Sequence, residues 1–364
     1  MILITTILST ILVLGVLVFV HEFGHFLVAR RMGVTVLRFS LGFGPKLYTI
    51  KRGETEYCLS LVPLGGYVKM LGEDPDEAEE NRDRPDSFSA TPVLKRMAIV
   101  FAGPLANFLL ALLIFWVFSA VYGIVHVLPE IGAVNSGSPA ERCGLIPGDR
   151  ILSIDSVSLD YWEDLSRVIR GSEGKTLNLQ VKRDGETLTL RVAPELTEAP
   201  NEFQEKVKIY AIGVGPSQKT VTEKVGVLRA AYASVEETYT WSRLFLVSIV
   251  KLVEKVLPLN SLGGPILIAQ LAGREARAGF GHLVNFIAII SVNLAVLNLL
   301  PIPILDGGHL FFFAIEAIRK RPIALKKIEM AQRVGMALLL ILMVFVFYND
   351  IMRLIPGAGK ALVH

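Results

Sequence analysis

Four stretches of the chain run without Asp, Glu, Lys or Arg for long enough to cross a bilayer: Met1 to Val20, Met97 to Pro129, Ala278 to Leu305 and Val334 to Asn349. The last is short, but Arg333 and Arg353 flank it and can snorkel to the two surfaces. Between the first two, Glu56 to Val62 and Gly65 to Met70 flank Pro63-Leu64 and predict two short strands around a turn. From about Leu128 to Glu195 the pattern becomes short alternating strands, at Ile131 to Val134, Pro147 to Ile154, Leu177 to Val181 and Thr187 to Val192, with a helix from Tyr161 to Ile169. Val225 to Val256 and Ser261 to Phe280 mix apolar and charged positions, as in amphipathic helices lying on a surface, with Gly263-Gly264-Pro265 as a breaker. The predicted fold is a mainly α-helical polytopic membrane protein of about four transmembrane helices, with a membrane-associated β-hairpin or sheet and an inserted α+β module. Its predicted divisions are residues 1–126, 127–196, 197–281 and 282–364.

Composition agrees: of 364 residues 52% are hydrophobic, too many for an ordinary soluble protein of two domains. The first apolar run lacks a positive n-region and a small-residue cleavage site before His21, so it is expected to be retained rather than cleaved as a signal peptide. A net charge of +3 and the lack of a basic, aromatic-interleaved stretch argue against nucleic acid as a partner.

The placement of basic residues predicts orientation. Arg30, Arg31, Arg38, Lys46, Lys51, Arg52 and others lie between spans one and two, and Arg319, Lys320, Arg321, Lys326, Lys327 and Arg333 lie between spans three and four. Both loops are expected to be cytoplasmic, with both termini and the section from Val127 to Gly281 on the far side. The acidic run Glu73 to Asp86 is expected to be a solvated connection. Cys58 and Cys143 fall on opposite sides in this topology and cannot pair.

His21-Glu22-Phe23-Gly24-His25 sits at the end of the first span. Positions i and i+4 on a helix lie about 40° apart, so both imidazoles can reach one zinc ion, with Glu22 beside them as a candidate base. At about 1.5 Å per residue the pair lies nearer the Arg30-Arg31 anchor than Met1, which puts the site in the cytoplasmic half of the bilayer. A catalytic zinc usually takes three protein ligands and leaves a position for water. In Asn298 to His309 two prolines break the third span before Asp306-Gly307-Gly308, and an intramembrane Asp is costly unless paired or metal-bound. Asp306 is therefore the preferred third ligand; His309 is the rival.

HEFGH, Gly42-Phe43-Gly44-Pro45, Ala102-Gly103-Pro104-Leu105-Ala106-Asn107 and the run from Asn298 to Gly307 resemble the site-2 protease family of intramembrane zinc metalloproteases, in its regulator-of-sigma-E protease branch. The resemblance covers nearly the whole chain. It implies that His21, His25 and Asp306 bind Zn2+, that Glu22 is the general base, and that Asn298 helps hold substrate. It also raises the expectation that Gly65, Gly66, Tyr67 and Val68 form an edge to which an unwound substrate adds as a strand; the plainer reading is a hairpin that only packs on the helices. Asn107 is read as a helix-packing residue. Ser138-Pro139-Ala140, Gly144-Leu145 and Pro147 to Leu152 resemble a PDZ domain of the bacterial protease type, which either binds an extended peptide or filters substrates by size. Only one such module is present, whereas some members of the branch carry two.

The expected partners are single-span membrane proteins, such as anti-sigma factors or remnant signal peptides, and the bilayer itself. The expected location is the bacterial inner membrane. The rival from another class is a catalytically silent membrane adaptor that uses its PDZ module to bind envelope proteins.

Overall fold

The computed structural model describes residues 2–74, 80, 81, 83–321, 323 and 325–354. The chain forms two compact units, Met1–Trp116 with Ala231–His364, and Val117–Ala230. Among the described residues four helices are long and apolar enough to cross a membrane: Ile2–Arg31, Val93–Tyr122, Phe280–Asn298 and Lys326–Leu354.

In the first unit, α1 (Ile2–Arg31) runs uninterrupted past the HEFGH motif and ends on Arg30 and Arg31, whose charge suits a helix C-terminus. α2 (Val93–Tyr122) stops earlier than its apolar run, because Gly123 takes φ +87° and Ile124–Val127 becomes strand β3. The predicted span to Pro129 is corrected accordingly. Between α1 and α2, β1 (Val36–Arg52) and β2 (Thr55–Met70) bend and pair twice. Residues 36–41 pair with 66–70 on one side and with 56–59 on the other, and 46–52 pair with 55–60. The two predicted strands around Pro63-Leu64 therefore do not pair with each other. The 36–41 segment lies between them, since Phe39 and Val68 bury against Phe26 of α1. Residues 66–70 are left as the outer strand.

α5 (Val227–Val253) and α6 (Pro265–Ala278) each lay one face on the helices of this unit. Trp241 and Phe245 of α5 pack on Ala111, Phe115, Ala288 and Val292. α6 packs on α1 through Ala272, and a Cβ at Gly273 would lie 2.3 Å from Thr6 Oγ1. α7 (Phe280–Asn298) ends before Pro301 and Pro303, seven residues short of the predicted Leu305, and α8 (Asp306–Arg319) begins a new helix. α9 (Leu325–Leu354) extends well beyond the apolar run that predicts it. Its Asp350 carboxylate accepts the N–H groups of Gly264, Ile266 and Leu267, capping α6. Residues 75–79 and 82 of the acidic run, and 355–364, lie outside the described residues.

The second unit centres on a sheet of order β6-β5-β7-β8, built from β5 (Arg150–Ile154), β6 (Val157–Ser158), β7 (Leu177–Arg183) and β8 (Glu186–Val192). The predicted strands and helix of this region are found, with α3 (Pro139–Arg142) capped by Ser138 and α4 at Trp162–Gly171. Residues 195–223 add strands where a linker was predicted. β9 (Glu195–Pro200) pairs with β10 (Lys206–Ala211), β11 (Val214–Pro216) pairs with β4 (Ile131–Val134), and β12 (Thr220–Glu223) pairs with β3. The unit is thus longer than residues 127–196, because its first strands find partners only near its end. Ile131, Ile151, Ile154, Leu165, Leu179, Val181 and Ile212 form its core. Buried Asp149 takes two hydrogen bonds from Arg183 and one from the Ile146 N–H. Cys58 and Cys143 are both free thiols.

Candidate metal centre

The HEFGH spacing on α1 brings His21 Nε2 and His25 Nε2 within 3.2 Å of each other, both rings buried. Asp306, the first residue of α8, reaches them from the far side of the broken segment. Its Oδ2 lies 3.2 Å from His21 Nε2 and 3.6 Å from His25 Nε2. Candidate donor atoms of the three residues all fall within 4.8 Å of one another. The approach depends on the glycines after the carboxylate. A Cβ at Gly307 would lie 2.2 Å from Leu300 O, and one at Gly308 2.2 Å from Ile302 O, so the chain from Leu299 folds back over α8 only because both side chains are absent.

Each imidazole is held by its other nitrogen. His25 Nδ1 lies 2.9 Å from the Ile99 carbonyl; an N–H there donates to that oxygen and leaves Nε2 with a free lone pair. The side-chain amide of Asn107 lies 3.4 Å from His21 Nδ1, and Asn107 Oδ1 is the part of this fully buried amide that otherwise lacks a partner. The amide nitrogen is the atom facing His21 Nδ1; with the amide turned end for end, Oδ1 accepts from His21 Nδ1–H instead, which again frees Nε2. Asn107 is thus placed at the site rather than only between helices. An amide within the apolar run of α2 is a signal, but one shared with any packing amide. Gly103 matters for a steric reason: a Cβ there would lie 2.2 Å from His25 Nε2 and 2.9 Å from His21 Cε1. Gly24 plays the matching part on α1, where a Cβ would lie 2.3 Å from Ala102 O.

This donor set fits a divalent metal. Two imidazole nitrogens and one carboxylate oxygen converge, and Asp306 Oδ2 is buried with no hydrogen-bond partner. A cation among them would remove that cost. His309, three residues on, lines the same cavity but lies outside the three-residue donor group, with its Nε2 facing Gln332 at 3.5 Å.

Glu22 lies in the cavity next to the pair, beside Val68 of the outer strand. The cavity, about 210 Å³, is walled on one side by the outer strand through Tyr67, Val68 and Met70. Gly66 allows that strand to approach α1, since a Cβ there would lie 2.8 Å from Val18 and 3.2 Å from Glu22 Cγ. Val68 is buried in the core, while Gly65 sits under the Phe43 ring, and Tyr67 stacks on that ring. Asn298 is the last residue of α7 and is not among the residues lining the cavity.

Comparison with known proteins accords with this geometry: the profile described as peptidase family M50 matches residues 9–342. The chain belongs to peptidase family M50, the site-2 proteases. It is a zinc metalloendopeptidase of that family, with Zn2+ its expected cofactor, and a multi-pass membrane protein. A protein of Mesorhizobium japonicum named "Putative zinc metalloprotease" is 39% identical over 363 residues, covering 95% of this chain and 98% of its own. One of Clostridium acetobutylicum, named in the same words, is 36% identical over 345 residues, covering 95% and 97%. "Zinc metalloprotease RasP" of Geobacillus kaustophilus is 32% identical over 422 residues, covering 96% and 98%. The site-2 protease match contains all three metal donors, Glu22 and Asn107.

Proposed function

We propose that the protein hydrolyses peptide bonds within the transmembrane segments of single-span membrane proteins, anti-sigma factor-like proteins or remnant signal peptides among them. The observation that carries this reading is the convergence of His21 and His25, on the membrane-length helix α1, with Asp306 at the start of α8, and with Glu22 beside them. Bound zinc would polarise the scissile carbonyl and acidify the attacking water. Glu22, in the cavity beside the histidine pair, takes the water's proton and passes it to the leaving nitrogen.

A helical substrate hides its carbonyls in its own hydrogen bonds, so it must unwind before it is cut. The outer strand at residues 65–70 suits an unwound segment, because no strand pairs with its outer side among the described residues. Gly65, Gly66, Tyr67 and Val68 then act through backbone and cavity wall, and Asn298 acts at the end of the broken third span. We assign the unit at Val117–Ala230 a PDZ-type role, meeting the external part of substrates, and place the protein in the bacterial inner membrane. The distribution of Lys and Arg supports cytoplasmic loops between spans one and two and between spans three and four, with the PDZ-type unit external.

Purified protein incubated with a tagged transmembrane peptide tests the reading. Cleavage should be lost with Glu22→Gln or with a zinc chelator. Binding without cleavage by the wild-type protein would favour an adaptor, and cleavage unchanged by Glu22→Gln would remove the assigned base.

A further inference from the structure

The metal cavity holds a third carboxylate that hydrolysis, as described, does not use. Glu73 follows the outer strand and lines the same cavity as His21, Glu22, His25 and Asp306. Its carboxylate accepts the Met70 N–H at 3.0 Å, which fixes it at the end of the strand to which a substrate would add. It is not one of the three converging metal donors. Among the described residues no Lys or Arg pairs with it. Its side chain stays exposed where it lines the cavity. Such a carboxylate, open to a cavity and without a cation, is suited to receive one.

Peptide hydrolysis produces one. The C–N bond breaks, a C–O bond forms at the carbonyl carbon, and both hydrogens of the water finish on nitrogen, giving a carboxylate on one fragment and an ammonium on the other. Glu22 delivers the first proton, and the zinc donors are committed to the metal. The new ammonium is the cationic species the reaction releases in this cavity. We propose that Glu73 binds the newly formed N-terminal ammonium of the fragment on the carboxyl side of the cut. This inference rests on the proteolytic reading above. A residue that merely capped the Met70 N–H would act as well as a neutral glutamine, so the two roles separate experimentally.

Once the cut is mapped on a model transmembrane peptide, the carboxyl-side fragment can be made with a free N-terminus and with an acetylated one. Their affinities for the full-length zinc-loaded protein are measured directly by competition with a fluorescent peptide. Wild-type protein should bind the free-amine fragment at least about tenfold more tightly, the scale of one charge-assisted hydrogen bond. Glu73→Gln should lose that preference with zinc content unchanged, and Glu73→Asp should keep part of it. Equal affinity of wild-type protein for the two fragments overturns the proposal without any variant, and so does a full preference in Glu73→Gln. Loss of cleavage in Glu22→Gln is read separately, so a protein that cleaves but ignores the terminal amine contradicts this assignment alone.

Discussion

Two residues of α2 decide how well the imidazole pair is presented. Asn107→Ala removes the partner of His21 Nδ1 and leaves α1 intact; zinc affinity, measured by chelator competition, should fall roughly 10- to 100-fold, as for other outer partners of ligating histidines. Gly103→Ala sets a methyl carbon against His25 Nε2, so this variant should lose the metal while its helical circular dichroism is kept. Glu22→Gln should behave oppositely, retaining zinc while cleavage falls by roughly 10² to 10⁴, the span of general acid–base contributions. At this scale the sequence was legible where chemistry is local. His21 and His25 carry their own spacing, and Asp306 announces itself as a carboxylate after a proline-broken span. Asn107 and Gly103 were not legible as site residues, since their roles exist only once α2 crosses α1.

Elements were legible in kind and less so in partnership. The segments at 56–62 and 65–70 alternate as strands, yet nothing local says that 36–41 slides between them; that choice comes from Phe39 and Val68 burying together on Phe26. For the same reason β9 to β12 look like linker in the sequence, because each pairs with a strand far along the chain or lacks a strong apolar run. Gly66→Val should clash with Val18 and Glu22 and displace the outer strand, reducing cleavage with zinc content retained. In the second unit burial opposes the charge on Asp149, but Arg183 and the Ile146 N–H more than compensate and hold its pKa below the ordinary carboxylate value. The unfolded carboxyl titrates near about pH 4, so the stabilisation is complete above that value and is lost as the pH falls through the lower folded pKa. Hydrogen exchange of β5 and β7 amides in the full-length protein should accelerate in that acid window. Arg183→Gln should accelerate it already at neutral pH, by leaving the Asp149 carboxylate without its cationic partner.

For the whole molecule, the membrane-spanning helices were the most legible feature, because a charge-free run of that length has few alternatives in water. Their ends were less so. Gly123 turns the last residues of the second run into a strand, and Pro301 and Pro303 stop the third early. Cysteines placed at Ser136 and Thr187 should react with a membrane-impermeant reagent in intact cells and one at Lys51 should not; the reverse pattern would invert the proposed topology. Every functional assignment depends on α1 and the start of α8 sharing one ion. Zinc analysis of the purified protein against its Asp306→Ala variant tests that sharing most directly. One zinc per chain in the wild type and little or none in the variant under the same chelator is the expected result; one zinc per chain held with equal affinity by both would contradict it.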